Sequence, residues 1–149
     1  MRNYLLLFLL FVSCSVFGQS PGPQDCIYAL PICSNANISL IPGGTGIYHE
    51  SESSTGSCLS GESNSIWLTF SIQTAGTLTF VIAPASNTTD YDFALYGPNH
   101  NCANLNVPPL RCSFANTASG VLTGLNMTST DTSENAGGDG FVKYINVLP

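Results

Sequence analysis

The chain of 149 residues carries three Lys or Arg against nine Asp or Glu, a net charge of −6, and only 8% of its residues are charged. An acidic surface of this kind disfavours nucleic acid and anionic membrane faces as partners and leaves divalent cations or neutral ligands such as glycans. With 44% hydrophobic residues the chain is too apolar for disorder, and it is long enough for one domain with a core.

Arg2 precedes an apolar run from Tyr4 to Val12, followed by small and polar residues. This pattern predicts a secretory signal peptide over residues 1–18, too short to span a membrane. Val16-Phe17-Gly18 sets cleavage before Gln19. A competing site, Phe11-Val12-Ser13-Cys14, resembles a degenerate lipobox that would lipidate Cys14, but it has Phe where Leu is usual. The exported chain keeps Arg111 and Lys143 as its strong bases against nine acids, a net charge of −7.

Residues 19–25 read as an extended leader stiffened by Pro21 and Pro23. Cys26 to Cys33 predicts a short edge strand interrupted by Pro31, since proline cannot donate to a ladder. Ile38–Ile41 and Thr45–His49 are further candidate strands, and Glu50–Asn64 is a polar, Ser- and Gly-rich surface loop. Three alternating stretches follow. Ser65–Ile72 sets Ile66, Leu68, Phe70 and Ile72 on one face. Thr77–Ile82 does the same with Leu78, Phe80 and Ile82, and Asp92–Tyr96 with Phe93 and Leu95. Period-two alternation rich in aromatic and β-branched residues marks half-buried strands. Residues 97–109 form a loop, 110–115 and 120–125 read as strands, 126–140 as a second polar loop, and 141–148 returns to strand patterning. No stretch carries a helical period. The expectation is an all-β protein: an antiparallel β-sandwich with jelly-roll-like topology over residues 26–149. Val147-Leu148-Pro149 reads as a strand entering a turn without its partner, so the reading is of an N-terminal piece of a longer protein that lacks its last strand or strands.

Five cysteines follow the signal peptide, and export makes disulfides their default state. The spacings match no zinc site. Cys102 and Cys112 close a short loop holding Pro108 and Pro109 and are expected to pair. Cys58 is expected to pair with Cys26 or Cys33, which leaves one thiol either free and buried or bonded outside the chain.

The segments DCIYALPIC (25–33), SCLSGESNSIWLTFSIQTAGTLTFVIAP (57–84), DYDFALYGPNHNC (90–102), RCSFA (111–115), TGLN (123–126) and GGDGFVKYINVLP (137–149) together resemble a module of secreted, gliding-motility-associated surface proteins of Bacteroidota. That module is similar to pre-peptidase C-terminal domains, which are calcium-associated jelly-roll sandwiches. The resemblance implies type IX export, a cell-surface location and a non-catalytic adhesion or ligand-binding role toward extracellular glycans or proteins. The alternative is an accessory, substrate-binding or stabilising domain of a secreted hydrolase.

Asp90 and Asp92 flank Tyr91 at a strand entry, where alternation puts both carboxyls on one face within reach of one calcium ion. Glu134 and Asp139, in a Gly-rich loop, are candidates to close on the same ion. Trp67 could serve as a sugar-stacking platform, though a Trp between Ile66 and Leu68 is more often packed in a core. Tyr48 and His49 border a loop and are secondary binding candidates. No GxSxG elbow is present, and the acidic residues lack the apolar surroundings that raise a catalytic carboxyl, so no enzyme is expected.

Overall fold

The computed structural model describes residues 21–48, 50, 57–98, 100–103, 105–115 and 122–149. The predicted signal peptide with its Cys14 alternative, His49, residues 51–56 and the start of the strand predicted at 120–125 lie outside the described residues.

The chain is all-β. A single 3-10 turn, Cys26–Tyr28, precedes β1 (Leu30–Ile32), β2 (Leu68–Phe70), β3 (Gly76–Leu78), β4 (Phe80–Ile82), β5 (Phe93–Leu95), β6 (Arg111–Ser113), β7 (Thr123–Asn126), β8 (Ser133–Glu134), β9 (Phe141–Lys143) and β10 (Ile145–Val147). Two three-stranded sheets, β4-β7-β9 and β5-β6-β8, enclose the core, consistent with a β-sandwich. The buried centre is Phe93, Leu125 and Val142, with Phe80, Ile82, Leu95 and Ile145 packed around it. Full burial of Leu125 and Val142 stabilises the fold by roughly 1.5–3 kcal/mol each. Phe80 of one sheet meets Phe93 of the other edge-to-face, with ring centroids 5.2 Å apart.

The antiparallel expectation holds only in part. The pairs β3–β10, β4–β7 and β5–β6 are antiparallel, whereas β1–β2, β6–β8 and β7–β9 are parallel. The parallel pairs arise because the long polar segments carry the chain across the molecule instead of turning it back in a hairpin.

Two predicted strands are each split by one residue. The stretch 77–82 breaks at Thr79 and the stretch 141–148 at Tyr144. β7 lies between β4 and β9 and ends at Asn126, whose side-chain oxygen accepts the N–H of Thr128 at 2.9 Å and of Ser129 at 2.7 Å. Such an Asx turn takes the backbone out of the ladder. Beyond that end the two outer strands come together, and β3 pairs directly with β10 (Leu78 with Ile145, Gly76 with Val147). Arg111 serves the carbonyls at the β9–β10 break: Nε donates to Lys143 O at 2.6 Å and Nη2 to Tyr144 O at 3.0 Å.

The strands predicted at 38–41 and 45–49 do not form among the described residues. Gly44 and Gly46 adopt φ of +78° and +72°, and the N–H groups of Ile47 and Tyr48 bond a carboxyl rather than a neighbouring strand. β8 was not expected; it falls within the stretch read as a loop over 126–140. The leader is docked rather than free. Pro23 O accepts Trp67 N at 2.6 Å, and Gln24 O accepts Ser65 Oγ at 3.1 Å.

The disulfide expectation is corrected. Cys26 pairs with Cys102 and Cys58 with Cys112; Cys33 is a free thiol and is exposed, not buried. Cys102 and Cys112 are close in sequence but divided by the fold. Cys112 sits in the middle of β6 opposite Ala94, buried to 3% exposure, whereas Cys102 lies in the loop that precedes that strand. The two bonds interleave along the chain: one ties the leader to the loop before β6, and the other ties the long polar loop to buried Cys112 in β6, in a domain where few apolar side chains among the described residues are fully buried.

Candidate functional site

The four residues expected to hold calcium fall into two groups. Asp90 and Asp92 are exposed at the entry to β5. Asp92 is held above the ordinary aspartate range, first by loss of water around its carboxyl and second by the neighbouring Asp90. Glu134 belongs to β8 and interacts with Asp131 and Asp139. The register places Phe93 against Ser113 and Ser113 against Glu134, so β6 stands between the two groups. The two groups are therefore separated by one strand in the register.

The second group is a carboxyl pair. Glu134 is pushed up to about 7, chiefly by a hydrogen bond with the Asp131 carboxyl, then by partial burial and by the charges of Asp131 and Asp139. Two carboxyls in contact share a proton because both cannot carry charge at low cost. Asp139 Oδ1 accepts Phe141 N at 2.9 Å and so caps the entry to β9. Among the described residues, no three His, Cys, Asp or Glu side chains converge in a way that would hold a metal ion by themselves.

Trp67 is half-buried. Its ring stacks on Tyr96 with centroids 6.1 Å apart, and its Nε1 donates to Glu62 Oε1 at 3.3 Å. It lies just before β2, half-buried on Tyr96 and outside the cluster of Phe93, Leu125 and Val142, so it is not part of the core, contrary to the core reading. Leu68 and Phe70, expected inside, are each 38% exposed, because among the described residues β2 pairs only with β1 and no further sheet covers them. An open apolar groove of about 230 Å³ lies alongside, lined in part by Leu30, Ile32, Ile38, Leu40 and Leu68, with Cys33 also on its wall.

Sequence reasoning missed the most enclosed polar group in the domain. Asp25 is fully buried. Its Oδ1 accepts Ile47 N at 2.6 Å and Tyr48 N at 2.8 Å. Its Oδ2 is buried and receives no hydrogen bond. Glu50 is 8% exposed, and its Oε1 accepts the N–H of Cys26, the residue after Asp25, at 2.8 Å. Burial raises the Glu50 carboxyl above its ordinary range; hydrogen bonds oppose this, and the charges of Glu62 and Asp25 raise it further. The signal in the sequence was the turn Pro42-Gly43-Gly44-Thr45-Gly46. A Cβ at Gly46 would overlap Asp25 Oδ1 and lie 2.8 Å from Cγ, so only glycine lets this backbone wrap the carboxyl.

Fold and polar groups together define a disulfide-bonded all-β domain whose acidic side chains gather in the segments around its strands. No helix among the described residues is long and apolar enough to cross a membrane. No protein-family model matches the chain, and no curated protein or solved structure matches it.

Proposed function

We propose that the chain is a non-catalytic extracellular module that binds glycans or proteins at a cell surface, as the N-terminal part of a larger secreted protein. The observation that carries this reading is the pair of interleaved disulfides in an all-β domain with a small core, a combination suited to oxidising, extracellular surroundings. The acidic, charge-poor surface and the resemblance to the jelly-roll-like modules of gliding-associated surface proteins support it further. Calcium at Asp90 and Asp92 belongs to the same reading. A cation there would offset the loss of water and the charge of Asp90 that together raise Asp92.

The test is binding of the purified exported chain to arrayed glycans and to extracellular proteins, with calcium and with chelator. Retention on a defined ligand class, weakened by Asp92→Ala, supports the reading. Retention that Asp92→Ala leaves unchanged removes the calcium part. No binding in either condition, together with turnover of a polymeric substrate, overturns the module reading.

A further inference from the structure

We propose that Asp25 and Glu50 together hold a hard divalent cation of the calcium class, which clasps the leader to the turn at residues 43–48. The proposal stands apart from the adhesion reading and from the groups at Asp90 and Glu134. Its first ground is Asp25 Oδ2, an acceptor sealed from solvent that no donor among the described residues reaches. A buried carboxyl oxygen without a donor is costly, and a coordinated cation removes that cost. The second ground is Glu50, buried beside it on the amide of Cys26. Glu62 and Asp25, both acidic, raise the Glu50 carboxyl further. The strong bases among the described residues are engaged elsewhere: Arg111 on the carbonyls of Leu110, Lys143 and Tyr144, and Lys143 over the Tyr144 ring.

Calcium takes six to eight oxygen ligands in flexible geometry and accepts main-chain carbonyls and water beside carboxyls, whereas magnesium demands a near-ideal octahedron. Two carboxyls set among irregular segments suit the former. The structural consequence is direct. Pro23 and Gln24, next to Asp25, bond Trp67 and Ser65, and Gln24 Nε2 donates to Gly43 O at 2.5 Å. An ion at Asp25 thus fixes the leader, the glycine turn and the approach to β2 at once.

The experiment compares thermal unfolding of the chelator-treated whole chain in calcium, in magnesium and in chelator, alongside terbium luminescence sensitised by Trp67. At a hundredfold excess over its dissociation constant, calcium should raise the melting temperature by roughly 10 °C, and magnesium by much less. In an Asp92→Asn background, which removes the separate strand-entry site, Glu50→Gln and Asp25→Asn should abolish both the shift and the luminescence, while Glu134→Gln keeps them. Asp25→Asn retains an acceptor for Ile47 and Tyr48; should it still fail to fold, Glu50→Gln alone decides. Three results overturn the proposal. The first is no calcium shift and no luminescence in the Asp92→Asn background. The second is a shift that Glu50→Gln leaves intact in that background. The third is a Glu50→Gln variant that is more stable in chelator with no metal response in its parent, which would mean that a shared proton balances the pair.

Discussion

The interleaved disulfides make a sharp prediction because the pairing suggested by sequence proximity has different energetics. Closing the loop between Cys58 and Cys112, 54 residues apart, restricts the unfolded chain by roughly 4 kcal/mol in the chain-entropy account. The bond from Cys26 to Cys102, 76 residues apart, restricts it by roughly 4.5 kcal/mol. A Cys102–Cys112 bond would close a loop of only about ten residues and supply roughly 2.7 kcal/mol. The perturbation is a set of alanine variants in a Cys33→Ala background, which removes the thiol that could exchange into a broken pair. Alanine is preferred to serine because Cys112 is buried and a hydroxyl there would need a partner. Cys58→Ala and Cys112→Ala should each cost about 4 kcal/mol in equilibrium urea unfolding, and the double variant no more than either, since all three remove one bond. Cys102→Ala with Cys112→Ala should cost nearly the sum, about 8 kcal/mol, which approaches the whole stability of a domain this size. Peptide mapping without reductant reads the pairing directly in variants too unstable to titrate. If the Cys102/Cys112 double variant is no worse than Cys102→Ala alone, the interleaved arrangement is wrong.

Three further perturbations test the frame. Gly124 lies between β4 and β9 with φ of +147°, and a Cβ there would overlap the Phe80 carbonyl oxygen and lie 3.1 Å from Val81 Cα. Gly124→Ala should therefore destabilise by roughly 2–5 kcal/mol in urea titrations; a loss under about 0.5 kcal/mol would mean that β4 is not held against this strand. Arg111→Met strips the donors from the carbonyls of Lys143 and Tyr144 and should cost about 1.5–3 kcal/mol, with faster amide exchange across β3 and β10 than across β5. Glu134 binds its proton more tightly folded than unfolded, so its contribution is complete below about 4.5 and is lost as pH rises through about 7. Glu134→Gln keeps a donor for Asp131 at every pH, so the fall in melting temperature from about pH 5 to pH 8 should shrink in the variant, and an unchanged fall would place the titration elsewhere.

Much of the architecture was legible in the alternation of apolar residues. Phe93, Leu95, Phe80 and Ile82 point where period two puts them, because each belongs to a strand covered on one face. The same rule failed at Leu68 and Phe70. Alternation says which side chains share a face but not whether a second layer covers that face. The breaks at Thr79 and Tyr144 were invisible for a different reason. Nothing in either stretch interrupts the pattern; the cause is the end of a third strand at Asn126, far away in sequence, which frees the two outer strands to meet. Disulfide pairing failed on the same ground. Short separation favours closure in the unfolded chain, but the native pairing follows where strands place the Cβ atoms, and a cysteine in mid-strand faces across to another segment.

The acidic residues show how a site hides from a sequence reading. Asp90, Asp92, Glu134 and Asp139 drew notice because they cluster along the chain, and clustering reports local composition. Asp25 stands alone between Gln24 and Cys26, and Glu50 lies 25 positions on. What joins them is reciprocal bonding of side chain to backbone: Asp25 takes the amides of Ile47 and Tyr48, just before Glu50, and Glu50 takes the amide of Cys26, just after Asp25. Each carboxyl thereby replaces the ladder partner that the other's segment lacks, so the failure of the strand predicted at 45–49 and the burial of two acids are one event. A segment that forgoes a sheet must satisfy its amides by other means. Here the means are carboxyls, and a carboxyl has two oxygens. With Asp25 Oδ1 consumed by the turn, Oδ2 is left buried with no donor among the described residues. That second oxygen is the reason to look for an ion at the leader as well as at the strand entry.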